Sequence, residues 1–136
     1  MALGKKSFGR QDEQVATMMA RLERWKTAKK LYTEALHIRK VALGASHELV
    51  ADIENSLGLV FIATGEWAEA AKMFRHALGV RESKLGREHV DITSVLNNLA
   101  VTLAFEKDYE RANRMFDRAV RIHTETFGPR SRTLIA

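Results

Sequence analysis

The sequence of 136 residues contains no cysteine, and its single proline is Pro129. Without cysteine the chain can form neither disulfides nor thiolate metal sites, which is typical of a reducing compartment, and we expect a cytoplasmic protein. Without proline before residue 129, helices can run through nearly the whole chain. No apolar run approaches membrane-spanning length, and the first residues lack the apolar core of a signal peptide. We therefore expect no membrane partner.

The sequence also lacks a strong excess of charge of one sign. The 22 basic and 17 acidic residues are mixed along the chain and give a net charge of +5, which favours acidic partners only weakly. Four arginines, at positions 111, 114, 118 and 121, advance by three and four residues and form one stripe on a predicted helix. A nucleic-acid surface needs stacking aromatic side chains among such charges, and we expect the aromatic residues here to point into the core instead. We interpret the stripe as a solvated outer face and expect no nucleic-acid partner.

Motifs for catalysis or metal binding are absent as well. The sequence has no nucleophile motif, phosphate-binding glycine loop or zinc signature. No two of the five histidines have metal-ligand spacing on one helix face with a carboxylate as third ligand. His47 and His89 occupy the same place relative to predicted helix starts, where packing or hydrogen bonding explains them better than metal binding. We predict that the protein is not an enzyme and uses no cofactor and no metal.

The sequence does contain a repeat of 42 residues. Residues 43–84 align with residues 85–126, large side chains on large and small on small, which is the mark of one structural unit copied along a chain. The best matches are Leu43-Gly44 with Leu85-Gly86, His47 with His89, Asn55 with Asn97, Trp67 with Tyr109, and Phe74 with Phe116. We predict one domain over residues 1–136, with repeat one at about 8–42, repeat two at 43–84, repeat three at 85–126 and a partial fourth at 127–136.

Each repeat is predicted to contain two helices, six in all. Apolar residues recur at three- and four-residue steps on both sides of turns at Thr64-Gly65 and Lys107-Asp108. In repeat one the apolar period is fainter, and we expect a short break near Glu23-Arg24. The apolar residues that indicate its first helix are Val15, Met18, Met19 and Leu22.

The order of side-chain sizes within a repeat resembles the tetratricopeptide repeat. In repeat two the first helix has a leucine, a small residue and an aromatic residue at the family's spacing: Leu57, Gly58 and Phe61. The family's turn, bulky, small and aromatic positions follow in the turn and the second helix, at Gly65, Trp67, Ala70, Phe74 and Ala77. The 42-residue period, the Leu-Gly-x-x-His linker and the motif Leu96-Asn97-Asn98-Leu99-Ala100 resemble the kinesin-light-chain group of these repeats. The resemblance implies an all-α fold: a right-handed superhelical solenoid of three helix-turn-helix repeats plus a C-terminal stub.

The resemblance also implies a binding function. In tetratricopeptide arrays the first helices line a concave groove, so we predict a protein-protein interaction scaffold that binds an extended peptide or a helix of a partner protein there. Aligning one helical stripe from each repeat gives the predicted groove residues: Glu13, Thr17 and Arg21; Asp52, Asn55, Leu59 and Ile62; Ser94, Asn97, Asn98, Val101 and Phe105. Leucine, valine and phenylalanine on an otherwise solvent-facing stripe favour an apolar contact with a partner.

Two alternatives remain open at the level of sequence. In the kinesin-light-chain group the asparagines that match Asn55 and Asn97 hold the main chain of the peptide, but amides at these positions could instead cross-link adjacent helices. The chain could also be an architectural segment of a longer array. If residues 130–136 cannot cap the last helix, Ala112, Phe116 and Ala119 would be partly uncovered and chains could self-associate end to end.

Overall fold

A computed structural model describes the backbone of residues 2–128 and the side chains from residue 13 onward. Within that range the chain forms five α-helices and no strand, with a short 3-10 helix, Val90–Ile92, before the fourth. The α-helices are α1 (Ala2–Leu43), α2 (Glu48–Ala63), α3 (Trp67–Leu85), α4 (Thr93–Phe105) and α5 (Tyr109–Phe127). Helices adjacent in sequence pack on each other, and the expected all-α solenoid is confirmed. No helix in this part of the chain has the length and apolarity to cross a membrane.

Histidine caps open the first helices of repeats two and three. The Nδ1 atom of His47 accepts a hydrogen bond from the backbone N–H of Leu49 at 3.1 Å, and Nδ1 of His89 accepts one from Asp91 at the same distance. A side-chain acceptor at this position satisfies one of the N–H groups that a helix start leaves without an intrahelical partner. The Leu-Gly-x-x-His linker therefore fixes where α2 and the 3-10 turn before α4 begin.

Small and large side chains interlock in the core between α2 and α3. The ring of Phe74 is fully buried and lies against the backbone of Gly58, where an added Cβ would come within 2.6 Å of the ring. The main cluster of buried side chains continues through α3, α4 and α5, and a smaller one around Leu36, Val50 and Leu57 joins α1 to α2. The periodic pattern in the sequence thus corresponds to a continuous core that extends from one helix to the next.

The predicted break in repeat one is wrong, because α1 is one uninterrupted helix of 42 residues. The turns of the other two repeats each contain a residue with positive φ, Gly65 at 77° and Lys107 at 66°. The equivalent residue in repeat one is Glu23, which favours a helix and disfavours the left-handed conformation that the turn requires. The expected six helices are therefore five, and repeat one is not a helix-turn-helix unit here.

Of the described side chains of α1, those in its second half pack against the rest of the molecule. Lys29 contacts Glu66 just beyond the end of α2, and Arg39 donates a hydrogen bond to the carbonyl of Leu49 near its start, so the two helices run antiparallel. The preceding part of α1 continues past the end of α2. The large apolar side chains on that part, Val15, Met18, Met19 and Leu22, are each 51–62% exposed.

At the other end, the predicted partial fourth repeat lies almost entirely outside the described residues, which end at Gly128. Within α5, Ala112 and Ala119 are buried and Phe116 is partly buried against the main core. Of the three residues expected to be uncovered, only Phe116 is accessible to any extent. Self-association through α5 stays a prediction.

The contact between Gly58 and Phe74 predicts opposite effects for two glycine-to-alanine changes. Gly58→Ala should destabilise the fold by about 1–2 kcal/mol, because a fully buried ring cannot yield to the new methyl group, even though alanine favours the helix. Gly79→Ala, in the exposed middle of α3 with nothing within 4 Å of the new Cβ, should stabilise it by about 0.5–1 kcal/mol. Urea denaturation followed by circular dichroism measures both. Equal shifts in the two variants would contradict the packing described here.

The contact between α1 and α2 predicts a pH dependence. A hydrogen bond from Thr64, at 2.5 Å, and then the contact with Lys29 lower the pKa of Glu66 below its ordinary 4.5. A lowered folded-state pKa adds stability that is present above pH 4.5 and disappears as the pH falls through the folded-state value. Because the pair is partly solvent-exposed, we expect roughly 0.5 kcal/mol or less. Thermal unfolding should show Glu66→Gln less stable than wild type at pH 6, with the difference shrinking as the pH falls below 4.5, whereas a constant difference would argue against this origin.

Candidate functional site

Nine of the twelve predicted groove residues lie on α2 and α4. These helices are the first helices of repeats two and three, and Asp52, Asn55 and Leu59 on α2 have Ser94, Asn97 and Val101 as their counterparts on α4. The two stripes are joined directly, since the side-chain amide of Asn98 donates a hydrogen bond to Oδ1 of Asn55 at 3.1 Å. We call the surface formed by these nine residues the α2/α4 groove.

The other three predicted residues do not join this groove. They are exposed and lie on the part of α1 that continues past the end of α2: Glu13, Thr17 and Arg21. Since an α-helix rises about 1.5 Å per residue, Glu13 lies roughly 24 Å along α1 from Lys29, which is already at the end of α2. Thr17 only donates a hydrogen bond to the carbonyl of Glu13 within the same helix, at 2.8 Å. Because α1 does not turn back at Glu23, these three residues extend away from the α2/α4 groove.

One end of the groove is apolar. Leu59, Val101 and Phe105 are 46%, 37% and 50% exposed, and Ile62 beside them is partly buried against the core. One face of the Phe105 ring stacks on Trp67, with centroids 4.5 Å apart and planes 10° from parallel. Sequence reasoning assigned Trp67 to packing alone and gave no signal of this stack, because the two rings come from different repeats. The stack holds Phe105 in place while half of its surface stays accessible.

In the middle of the groove, the asparagines are arranged differently from the prediction. Asn55 pairs with Asn98 and not with its repeat counterpart, which corresponds to the cross-linking alternative for that side chain. Asn97 is partly buried, and the described part of the chain offers its side chain no hydrogen-bond partner. Its amide therefore has a donor and an acceptor available to a ligand.

The other end of the groove is a polar cavity of about 600 Å³ between the starts of α2 and α4 and the end of α3. Asp52 and Ser94, both predicted, line it, together with residues that sequence reasoning missed: Glu48, Arg81, Leu85, Val90, Asp91 and Thr93. The guanidinium of Arg81 donates a hydrogen bond to Asp52 at 2.8 Å. The Asp91 carboxylate lies 3.7 Å from Nδ1 of His89, and neither Asp91 nor Glu48 has an Arg or Lys partner in the described range. With three carboxylates and one guanidinium in its lining, this cavity is acidic although the chain is basic overall.

A buried carboxylate with a histidine partner supports the groove from behind. The side chain of Glu54 on α2 is 2% exposed, and its Oε1 lies 2.5 Å from Nδ1 of His76 on α3. A buried carboxylate is costly unless it has such a partner. The pair therefore fixes α2 against α3. His76 therefore has a structural contact, although its own side chain is 42% exposed.

The arginine stripe on α5 is paired with acidic groups. Arg118 bonds to Glu82 and to the carbonyl of Arg87, and Arg121 bonds to Glu88 at 2.7 Å, which lowers the pKa of Glu88. Arg111 and Arg114 lie near acidic residues on their own helix. Between residues 13 and 128, moreover, no three histidine or carboxylate side chains come together in a way that could hold a metal ion.

Comparison with known proteins agrees with the helix pairs and the repeat period. A family model described as tetratricopeptide repeat matches residues 12–83, and a second with the same description matches residues 92–132. The chain belongs to the tetratricopeptide-repeat family. Proteins of this family generally mediate protein-protein interaction or scaffolding and are generally not catalytic.

Among solved structures, this tetratricopeptide-repeat protein is similar to BtubC (BKLC) from P. vanneervenii, with a TM-score of 0.73 and 26% sequence identity. The similarity covers 86% of this chain and 46% of that one, so the chain spans about half the length of its relative. That protein is kinesin-light-chain-like, which confirms the resemblance drawn from the repeat. No match was found among curated proteins.

The bond between Asn55 and Asn98 predicts a difference between two adjacent asparagines. Asn98→Ala should destabilise the protein by about 0.5–1.5 kcal/mol, since it removes the hydrogen bond between α2 and α4. Asn97→Ala, one residue away on the same helix, removes no such bond and serves as the matched control. Denaturant unfolding of both variants gives the comparison. If Asn97→Ala cost as much as Asn98→Ala, the bond would not be what joins the two helices.

Proposed function

We propose that this tetratricopeptide-repeat protein binds a segment of a partner protein in the α2/α4 groove. The observation that carries the proposal is the accessible apolar stretch of Leu59, Val101 and Phe105 on the first helices. These side chains are not part of the buried core, and burying them against a partner would be favourable. The general role of the family in protein-protein interaction supports the same conclusion.

The chemistry of the groove indicates what kind of segment it accepts. An apolar or aromatic side chain of the ligand would pack on Leu59, Val101 and the free face of Phe105. The amide of Asn97 would hydrogen-bond to the ligand's main chain, which contributes affinity without sequence preference. A lysine or arginine of the ligand would enter the cavity beside Glu48 and Asp91. The preferred ligand is therefore a peptide with an apolar residue and a basic residue separated by the length of the groove.

The proposal includes no catalytic step, since the groove residues form no arrangement of nucleophile and base. A cytoplasmic location, expected from the absence of cysteine, stays a prediction.

A peptide-display selection with random peptides tests the function. Selected peptides should combine an apolar and a basic residue, and fluorescence polarisation with the purified chain should measure their affinity. Val101→Asp should weaken binding by about tenfold or more, because it places a charge where the apolar anchor packs. A double Glu48→Lys and Asp91→Lys change should weaken the basic peptides specifically, and by less at high salt.

Val120→Asp is the matched control, because it makes the same substitution at a 48% exposed valine on α5 and should leave affinity unchanged. Circular dichroism must show the same helicity for all variants. Peptides that bind Val101→Asp as tightly as wild type would overturn the assignment of the groove, as would a selection that enriches no peptide.

A further inference from the structure

Residues 13–24 of α1 have an apolar face that no described residue covers. Val15, Met18, Met19 and Leu22 follow one another at helical spacing and are each more than half exposed. We call residues 13–24 the α1 arm. Among the described helices α1 packs only on α2, and that contact begins beyond the arm, near Lys29.

A second uncovered surface adjoins the arm on the same helix. A largely apolar hollow of about 590 Å³ on α1 is lined by Trp25, Ala28 and Leu31 together with Arg21, Arg24 and Thr27. The repeat counterparts of the first three are Trp67, Ala70 and Met73, which are buried or partly buried, with Ala70 fully inaccessible. In repeat two, α2 packs against Ala70 and Met73, whereas Phe105 of α4 covers the ring of Trp67. In repeat one, therefore, no first helix packs on the surface formed by Trp25, Ala28 and Leu31.

The arm carries the side chains that would provide this cover. Val15, Ala16, Met18 and Met19 lie 42 residues before Leu57, Gly58, Val60 and Phe61, which form the inward face of α2. Ala16 stands at the small position that lets Phe74 approach Gly58 in repeat two. The arm therefore matches the exposed surface of α1 in size and order, but a straight helix cannot fold onto itself.

We propose that two copies of this chain pair through α1, each arm covering Trp25, Ala28 and Leu31 of the other. First and second helices of a repeat run antiparallel, and two straight α1 helices related by a two-fold axis perpendicular to them also run antiparallel. Ala16 and Tyr32 lie 42 residues before Gly58 and Phe74, so the same contact in the dimer would bring Ala16 of one copy against Tyr32 of the other. The two-fold axis then crosses α1 midway between these residues, at residue 24. This is the position where repeat one lacks the turn. The result is an exchange of identical elements between two chains.

The proposal is independent of the groove, which lies on α2 and α4. Analytical ultracentrifugation of the full chain should give a mass twice the 15.4 kDa of one chain, dissociating on dilution. Met19→Asp should convert the dimer to a monomer. Val41→Asp is the matched control on the same helix, because Val41 is 75% exposed and its repeat counterparts are the polar Ser83 and Glu125. It should leave the dimer intact.

A second variant tests the role of the missing turn. Replacing Leu22, Glu23 and Arg24 by Thr, Gly and Glu copies the turn at Thr64-Gly65-Glu66, so each arm can close onto its own chain. This variant should be a monomer with helicity close to that of wild type, whereas loss of the dimer by unfolding would lower helicity.

Chemical cross-linking identifies the contact itself. The chain has no native cysteine, so Ala16→Cys and Tyr32→Cys can be made in separate chains, mixed and treated with a short thiol cross-linker. A product that joins one chain of each kind is expected. A wild-type monomer at all concentrations, a dimer that survives Met19→Asp, or a turn variant that stays dimeric would each overturn the proposal.

Discussion

The approach of the Phe74 ring to the backbone of Gly58 decides how closely α2 and α3 can pack. At that separation neither helix has room for a larger residue at the contact, so the neighbouring positions Ala70 and Ala77 are small as well. Repeat three uses the same arrangement with Ala100 and a less deeply buried Phe116. Because each helix pair has nearly the same internal geometry, the first helices α2 and α4 are held side by side, and their outward stripes form one surface. The groove depends on this spacing.

Much of the fold could be predicted from the sequence because the same packing pattern of large and small residues occurs in two aligned repeats. The histidine linker, the positions of the turns at Gly65 and Lys107, and the small-on-small matches all follow from local rules or from comparison of one repeat with the next. Repeat one departs from the others at Glu23, where a single residue that favours helix replaces one that turns the chain. The apolar period continues through that point, and periodicity alone does not distinguish one long helix from two short ones.

The site was less predictable than the fold. Placing Leu59, Val101 and Phe105 on exposed faces needed only helical spacing and the repeat. The pairing of Asn55 with Asn98, and the stack of Trp67 on Phe105, depend on side chains from different repeats, and the period does not specify which rotamers meet. Arg81, Glu48 and Asp91 were missed for a related reason: the polar cavity forms where three helix ends come together, whereas the stripe was traced along first helices only.

Among the described helices α1 contacts only α2, and this also shapes how the molecule opens. A unit that touches one neighbour can separate without disturbing the rest, so local stability should decrease from the interior toward α1. In the single chain, amide hydrogens of the first half of α1 would exchange with solvent long before those of α3 and α4. The chain therefore has a gradient of protection along its length, in which the end of the array can melt and re-form while the interior helices keep their shape.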